Sequence, residues 1–122
     1  MRRLCELREI PREGLRFTYR DGPFESEGIL LRLPGDRVAA YKNECRHLAM
    51  PLDERDPGTL WDPDGRNLAC ASHGALFRPI DGLCIAGPCR GSHLKSLPVQ
   101  IRDDQVYLDE SSLGGFFKIE SS

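Results

Sequence analysis

Short runs in which apolar and polar residues alternate, punctuated by glycine, proline and aspartate, set the pattern of this chain. Such alternation places one set of side chains on one face of a strand, and no stretch here sustains a helical period. Residues 1 to 26 contain CELREI and LRFTY, broken at Pro11, Gly14 and Asp21-Gly22-Pro23, and predict one or two strands. GILLRL and RVAAYKN, joined by Pro34-Gly35-Asp36, predict a hairpin that delivers the chain to Cys45. Residues 67 to 70, 75 to 80 and 83 to 86 read as further short strands. LKSLPVQIRDDQVYLDE predicts a last hairpin turning at Asp103-Asp104, expected to pair with the strands near 29 to 43. The fold class is therefore all-β.

Between Met50 and Asn67 the alternation stops. Asp56-Pro57-Gly58 and Asp62-Pro63-Asp64-Gly65 are turn signals on either side of Thr59-Leu60-Trp61. Five acids against two arginines make this stretch locally negative, which suits a solvated excursion carrying one packed aromatic, or a docking surface. In the tail 111 to 122, Phe116, Phe117 and Ile119 are apolar enough to dock, while Gly114-Gly115 and the last serines loosen the link.

Length and charge narrow the partners. A chain of 122 residues is expected to form one domain with its own core, without disulfide staples. With 30% charged residues and a net charge of −2 there is no basic excess for nucleic acid. The stretch MRRLCELREIPREGLRF lacks the apolar run of a signal peptide, and nothing later reaches the length of a membrane span. The expected location is the cytosol, with no membrane partner. There the default for each of the five cysteines is a free thiol or a ligand.

Two short pairs of soft ligands carry the candidate chemistry: Cys45-x-His47 and Cys70-x-x-His73, with 22 residues between them. A gap of one or two residues lets both side chains of a pair leave one tight turn toward a single centre. Two such turns offer two thiolates and two imidazoles, which suits a tetrahedral zinc ion or a two-iron cluster with mixed ligands. Cys84 and Cys89 are close enough in sequence to be bridged, and with His93 they make an incomplete zinc set. The simpler reading of Cys5, Cys84 and Cys89 is small packed side chains, and of His93 a surface histidine.

The residues beyond the second pair separate these readings. Cys45, His47, Cys70, His73, Gly74, Phe77, Gly82 and Gly87-Pro88 stand in an order that resembles the Rieske [2Fe-2S] family, over roughly residues 27 to 110. The resemblance implies an antiparallel β-sandwich with a small cluster-binding subdomain at about 44 to 90. It also implies that Cys45 and Cys70 hold a buried iron while His47 and His73 hold an outer one. The loop over 48 to 69 is longer than in small ferredoxins of this kind. Leu48, Met50, Leu76 and Pro88 are the expected shields against water, and Gly74 and Gly87 are expected either to let backbone approach the cluster or simply to turn the chain.

Two ferric ions and two sulfides retain two positive charges. Four thiolates turn them into a dianion, whereas two thiolates and two neutral imidazoles leave a neutral centre that accepts an electron more readily. The resulting potentials span roughly −150 to +300 mV, and the imidazoles add a titratable site. High-potential members of the family carry a serine and a tyrosine where this chain has Ala75 and Phe77, and a loop disulfide where it has Met50 and Ser72. A low-potential, ferredoxin-like centre is expected. Respiratory members are also anchored by an N-terminal membrane helix, for which this chain shows no segment.

The resemblance thus implies a one-electron carrier between a reductase and a terminal oxidoreductase or oxygenase, with no organic substrate of its own. With His47 and His73 used, His93 alone cannot supply the two histidines of a mononuclear oxygenase iron. The alternatives are a small subunit resident in a larger oxidoreductase, of the nitrite-reductase kind, and a structural zinc module.

Overall fold

The computed structural model describes residues 1–44, 52, 61–70 and 74–113. Its strands are β1 (Arg2–Glu6), β2 (Leu15–Asp21), β3 (Phe24–Leu33), β4 (Arg37–Lys42), β5 (Leu68–Ala69), β6 (Leu76–Phe77), β7 (Cys84–Ala86), β8 (Val99–Arg102) and β9 (Gln105–Leu108). Two 3-10 turns, Leu7–Glu9 and Glu110–Ser112, are the only helical pieces among the described residues. The strands form three three-stranded sheets, in the orders β1-β9-β8, β2-β3-β4 and β5-β6-β7. The all-β expectation holds, and among the described residues no helix is long and apolar enough to cross a membrane.

The chain divides into two compact units, Met1–Ala40 with the chain from Leu97 onward, and Tyr41–Ser96. In the first, the inward residues of two sheets make the core. Cys5 of β1, Phe17 and Tyr19 of β2, Leu30 of β3, Ala40 of β4, and Val106 and Leu108 of β9 form one buried cluster with Leu7, Ile10 and Leu97. Burial follows the alternation: Phe17 and Tyr19 are buried, while Arg16, Thr18 and Arg20 between and beside them are exposed. Cys5 is thus a core side chain, and burial, with Glu9 nearby, raises its thiol pKa.

Turn chemistry fixes these strands in register. Asp103 and Asp104, with φ of 49° and 60°, form the two-residue turn between β8 and β9. Gly35 and Asp36, at 81° and 54°, perform the same reversal between β3 and β4. The last hairpin does not pair where the sequence suggested. Its partner is β1, with Arg2 opposite Leu108 and Glu6 opposite Gln105, rather than the strands near 29 to 43. Cys5 of β1 and Leu7 just beyond its end supply apolar side chains to the same core as Val106 and Leu108, and that match decides the pairing.

The second unit has its own core, in which Leu52, Leu68, Ala75 and Phe77 are fully buried. Its sheet is built on short antiparallel pairs, Leu68 with Phe77 and Ala69 with Leu76, then Phe77 with Cys84. Trp61, the aromatic of the long loop, is half-buried and its backbone bridges to Leu68. The turn at 62–65 forms as well: Asp62 accepts the Gly65 N–H on its carbonyl at 2.9 Å and the Arg66 N–H on its carboxylate at 3.0 Å. The turn signal at 56 to 58 and the tail from 114 onward lie outside the described residues.

Candidate metal centre

Cys70 comes directly after β5 and is 1% exposed, with a free thiol. Its backbone is engaged on both sides. Its N–H donates to the Ala75 carbonyl at 2.8 Å, and its carbonyl accepts the Gly74 N–H at 2.9 Å. The β5–β6 hairpin therefore closes on the segment 71–73, which contains His73. Gly74 sits at φ +70°, a conformation that turns the chain, and a Cβ there would meet no described atom within 4 Å.

At Gly87 the backbone comes close to other backbone instead. At φ +97°, a Cβ on it would lie 2.7 Å from the Cα of Ala75 and 3.2 Å from its nitrogen. The Gly87-Pro88 turn thus rests on the backbone that holds Cys70. Leu76 is half-buried and Pro88 exposed.

The segment that carries the first pair is closed in a comparable way. Buried Asn43, just after β4, accepts the Leu52 N–H on its side-chain carbonyl at 3.0 Å, and Leu52 is fully buried. Residues 44–51, with Cys45 and His47 among them, lie between those two anchors. The sequence reading missed Asn43, although an asparagine between a strand and a ligand pair is a signal for such a bond.

Within β4, Tyr41 is buried and donates its hydroxyl to the Pro79 carbonyl at 2.7 Å. Burial, with Asp81 as a second cause, pushes its pKa up to about 12. Arg78 pairs with Asp81 and holds that carboxyl below its usual range, with the Leu83 N–H as the next contributor.

Of the four expected ligands the structure describes Cys70; Cys45, His47 and His73 lie outside the described residues, as do Leu48, Met50 and Ser72. The donor set suits an iron–sulfur centre: a buried free cysteine sulfur in a loop closed at its base, then an imidazole three residues on, in the same chain as a second Cys/His pair. The fallback set of Cys84, Cys89 and His93 does not assemble. His93 is exposed, as expected of a surface histidine, and bridges to Leu83, and among the described residues no group of three possible metal ligands occurs. Ala75 and Phe77 are both fully buried, so the positions that offer hydroxyls in high-potential relatives are apolar here.

The Rieske [2Fe-2S] domain family matches residues 3–100 of the chain. Among solved structures, the Sphingomonas yanoikuyae B1 ferredoxin is similar with a TM-score of 0.61 at 25% identity, over 88% of this chain and 95% of that one. The ferredoxin of carbazole 1,9a-dioxygenase from Nocardioides aromaticivorans IC177 gives 0.62 at 21% identity, over 88% and 97%. A chain of the complex of reduced oxygenase and oxidised ferredoxin in carbazole 1,9a-dioxygenase gives 0.62 at 22% identity, over 87% and 98%. The last two likenesses speak for the fold. No curated protein matches the chain.

Proposed function

The chain belongs to the Rieske [2Fe-2S] family, and from that premise we propose that it is a low-potential one-electron carrier whose cluster is held by Cys45, His47, Cys70 and His73. When bound, the cluster supplies a reversible one-electron couple. Around it, this chain's residues position and exclude: the Cys70 loop is fixed by its bonds to Gly74 and Ala75, and Ala75 and Phe77 keep hydroxyl donors away.

The observation that carries the reading is Cys70 itself, a buried free thiol at the mouth of a closed hairpin loop, inside the matched family region. The donor partner is a reductase. The acceptor is a terminal oxygenase, a role supported by the likeness to ferredoxins, one of them the ferredoxin of carbazole 1,9a-dioxygenase. The carrier takes no organic substrate. We place it in the cytosol, in keeping with the free thiols of Cys5, Cys70, Cys84 and Cys89.

Fractionating an extract of the protein's own cells under anaerobic conditions tests the role. A carrier elutes alone, at the size of the free chain, with its iron. Elution only with a large subunit would assign it instead to a resident subunit of a larger oxidoreductase, a reading that no feature of the described fold favours.

A further inference from the structure

Cys84 and Cys89 bring their sulfurs to 3.2 Å, about 1.2 Å beyond bonding distance. Cys84, the first residue of β7, is buried, whereas Cys89 is half-buried and reachable from solvent. The backbone around them is already closed. Cys84 donates its N–H to the Ser92 carbonyl at 2.7 Å and accepts the Gly91 N–H at 2.9 Å. The Cys89 carbonyl accepts both the Ser92 N–H at 3.0 Å and the Ser92 hydroxyl at 2.6 Å. The two thiols are therefore held facing each other by bonds that do not involve sulfur, and joining them needs only a small side-chain movement.

The cluster does not use this pair: neither residue belongs to the ligand set, and no third metal ligand accompanies them among the described residues. The hydrogen bonding assigns each sulfur a part. The Cys84 thiol donates to the Ala86 carbonyl at 3.2 Å, which leaves its sulfur to accept the Cys89 thiol proton. Burial, and then that bond to Cys84, raises the Cys89 pKa, which favours the neutral thiol at Cys89.

The geometry points to Cys84 and Cys89 as a two-electron dithiol–disulfide couple, a reversible modification site separate from the one-electron cluster. The oxidant is a low-molecular-weight disulfide such as oxidised glutathione. The Cys89 thiolate attacks one of its sulfurs, forming a mixed disulfide and releasing one thiol. The Cys84 thiolate then attacks the Cys89 sulfur and expels the second thiol. One protein disulfide forms, two S–H protons pass to the two released thiols, and the small disulfide is reduced by two electrons. The bridge encloses Gly87-Pro88, the turn that rests on Ala75, so oxidation braces the support of the Cys70 loop.

The test equilibrates the cluster-bearing full chain, under anaerobic conditions, with glutathione buffers from fully reduced to fully oxidised. Free thiols are then blocked with iodoacetamide and the peptides mapped by mass. The expected result is a Cys84–Cys89 peptide two hydrogens lighter, with loss of both alkylation sites as the buffer becomes oxidising, reversed by reduced glutathione. In Cys84→Ser the mixed disulfide with glutathione should persist on Cys89. Full alkylation of both cysteines at every ratio overturns the proposal. So does loss of the visible absorption in the Cys84→Ser, Cys89→Ser double variant, which would make these residues ligands.

Discussion

Gly87 lies so close to Ala75 that a Cβ on the glycine would stand 2.7 Å from the alanine Cα. Ala75 in turn receives the Cys70 N–H on its carbonyl. One glycine thus sets the distance between a remote turn and the loop that carries a buried thiol. Gly87→Ala combines a positive φ with a backbone clash and should cost about 2–4 kcal/mol. Gly91→Ala, at φ +94° with no described atom within 4 Å of the new Cβ, meets strain alone. That strain should cost about 1–2 kcal/mol. Denaturant unfolding compares them, and equal costs would show that the contact with Ala75 carries no weight.

Asn43 holds the base of the other segment that carries proposed ligands. Asn43→Ala strands the buried Leu52 N–H, at about 1–3 kcal/mol. Because residues 44–51 lose a closing bond, iron retained per chain should fall as well. Iron assay after purification, alongside the unfolding curve, checks both. Unchanged stability and iron would mean that the bond is incidental.

Tyr41 gives the alkaline limit of the second unit. Its folded pKa of about 12 lies above the ordinary value of 10. Between those two values the unfolded chain has released the phenolic proton and the folded chain has not. Stability is therefore fully present below about pH 10 and falls as pH rises toward 12. Tyr41→Phe should remove this fall and, by losing the bond to Pro79, cost about 1 kcal/mol at neutral pH. Unfolding curves at several alkaline pH values decide it. An equally steep fall in the variant would assign the titration to another group.

A low potential is tied to the apolar surroundings of Ala75 and Phe77. The wild-type midpoint is expected near the bottom of the family's range of roughly −150 to +300 mV. Ala75→Ser restores a hydroxyl at the position where high-potential relatives carry one. A hydrogen bond favouring the reduced state should raise the midpoint by about 20–60 mV. Potentiometric titration reads both values. A wild-type midpoint well above roughly +100 mV would contradict the link between these residues and a low potential.

Much of the fold was legible because it is local. The two aspartates at 103 and 104 and the Gly35-Asp36 step define their hairpins through residues whose backbone preferences need no tertiary context. The pairing of β1 with β9 was not legible, since it joins residues about a hundred positions apart and is decided by which apolar faces share a core. At the candidate site, ligand types and spacing are written in the sequence. The contacts that hold the ligand segments are less visible. Asn43 looks like any strand-end polar residue until its partner, Leu52, is known, and Gly74 and Gly87 are indistinguishable until the space around each is seen.

Electron transfer by this chain depends on Cys45, His47, Cys70 and His73 holding a mixed-ligand [2Fe-2S] cluster. Absorption and electron paramagnetic resonance spectra of the anaerobically purified protein, before and after dithionite, decide this. The expected result is a broad visible absorption that bleaches on reduction, together with a rhombic signal of low average g. Both should be lost in Cys70→Ser. A colourless protein with stoichiometric zinc and no iron would contradict the assignment.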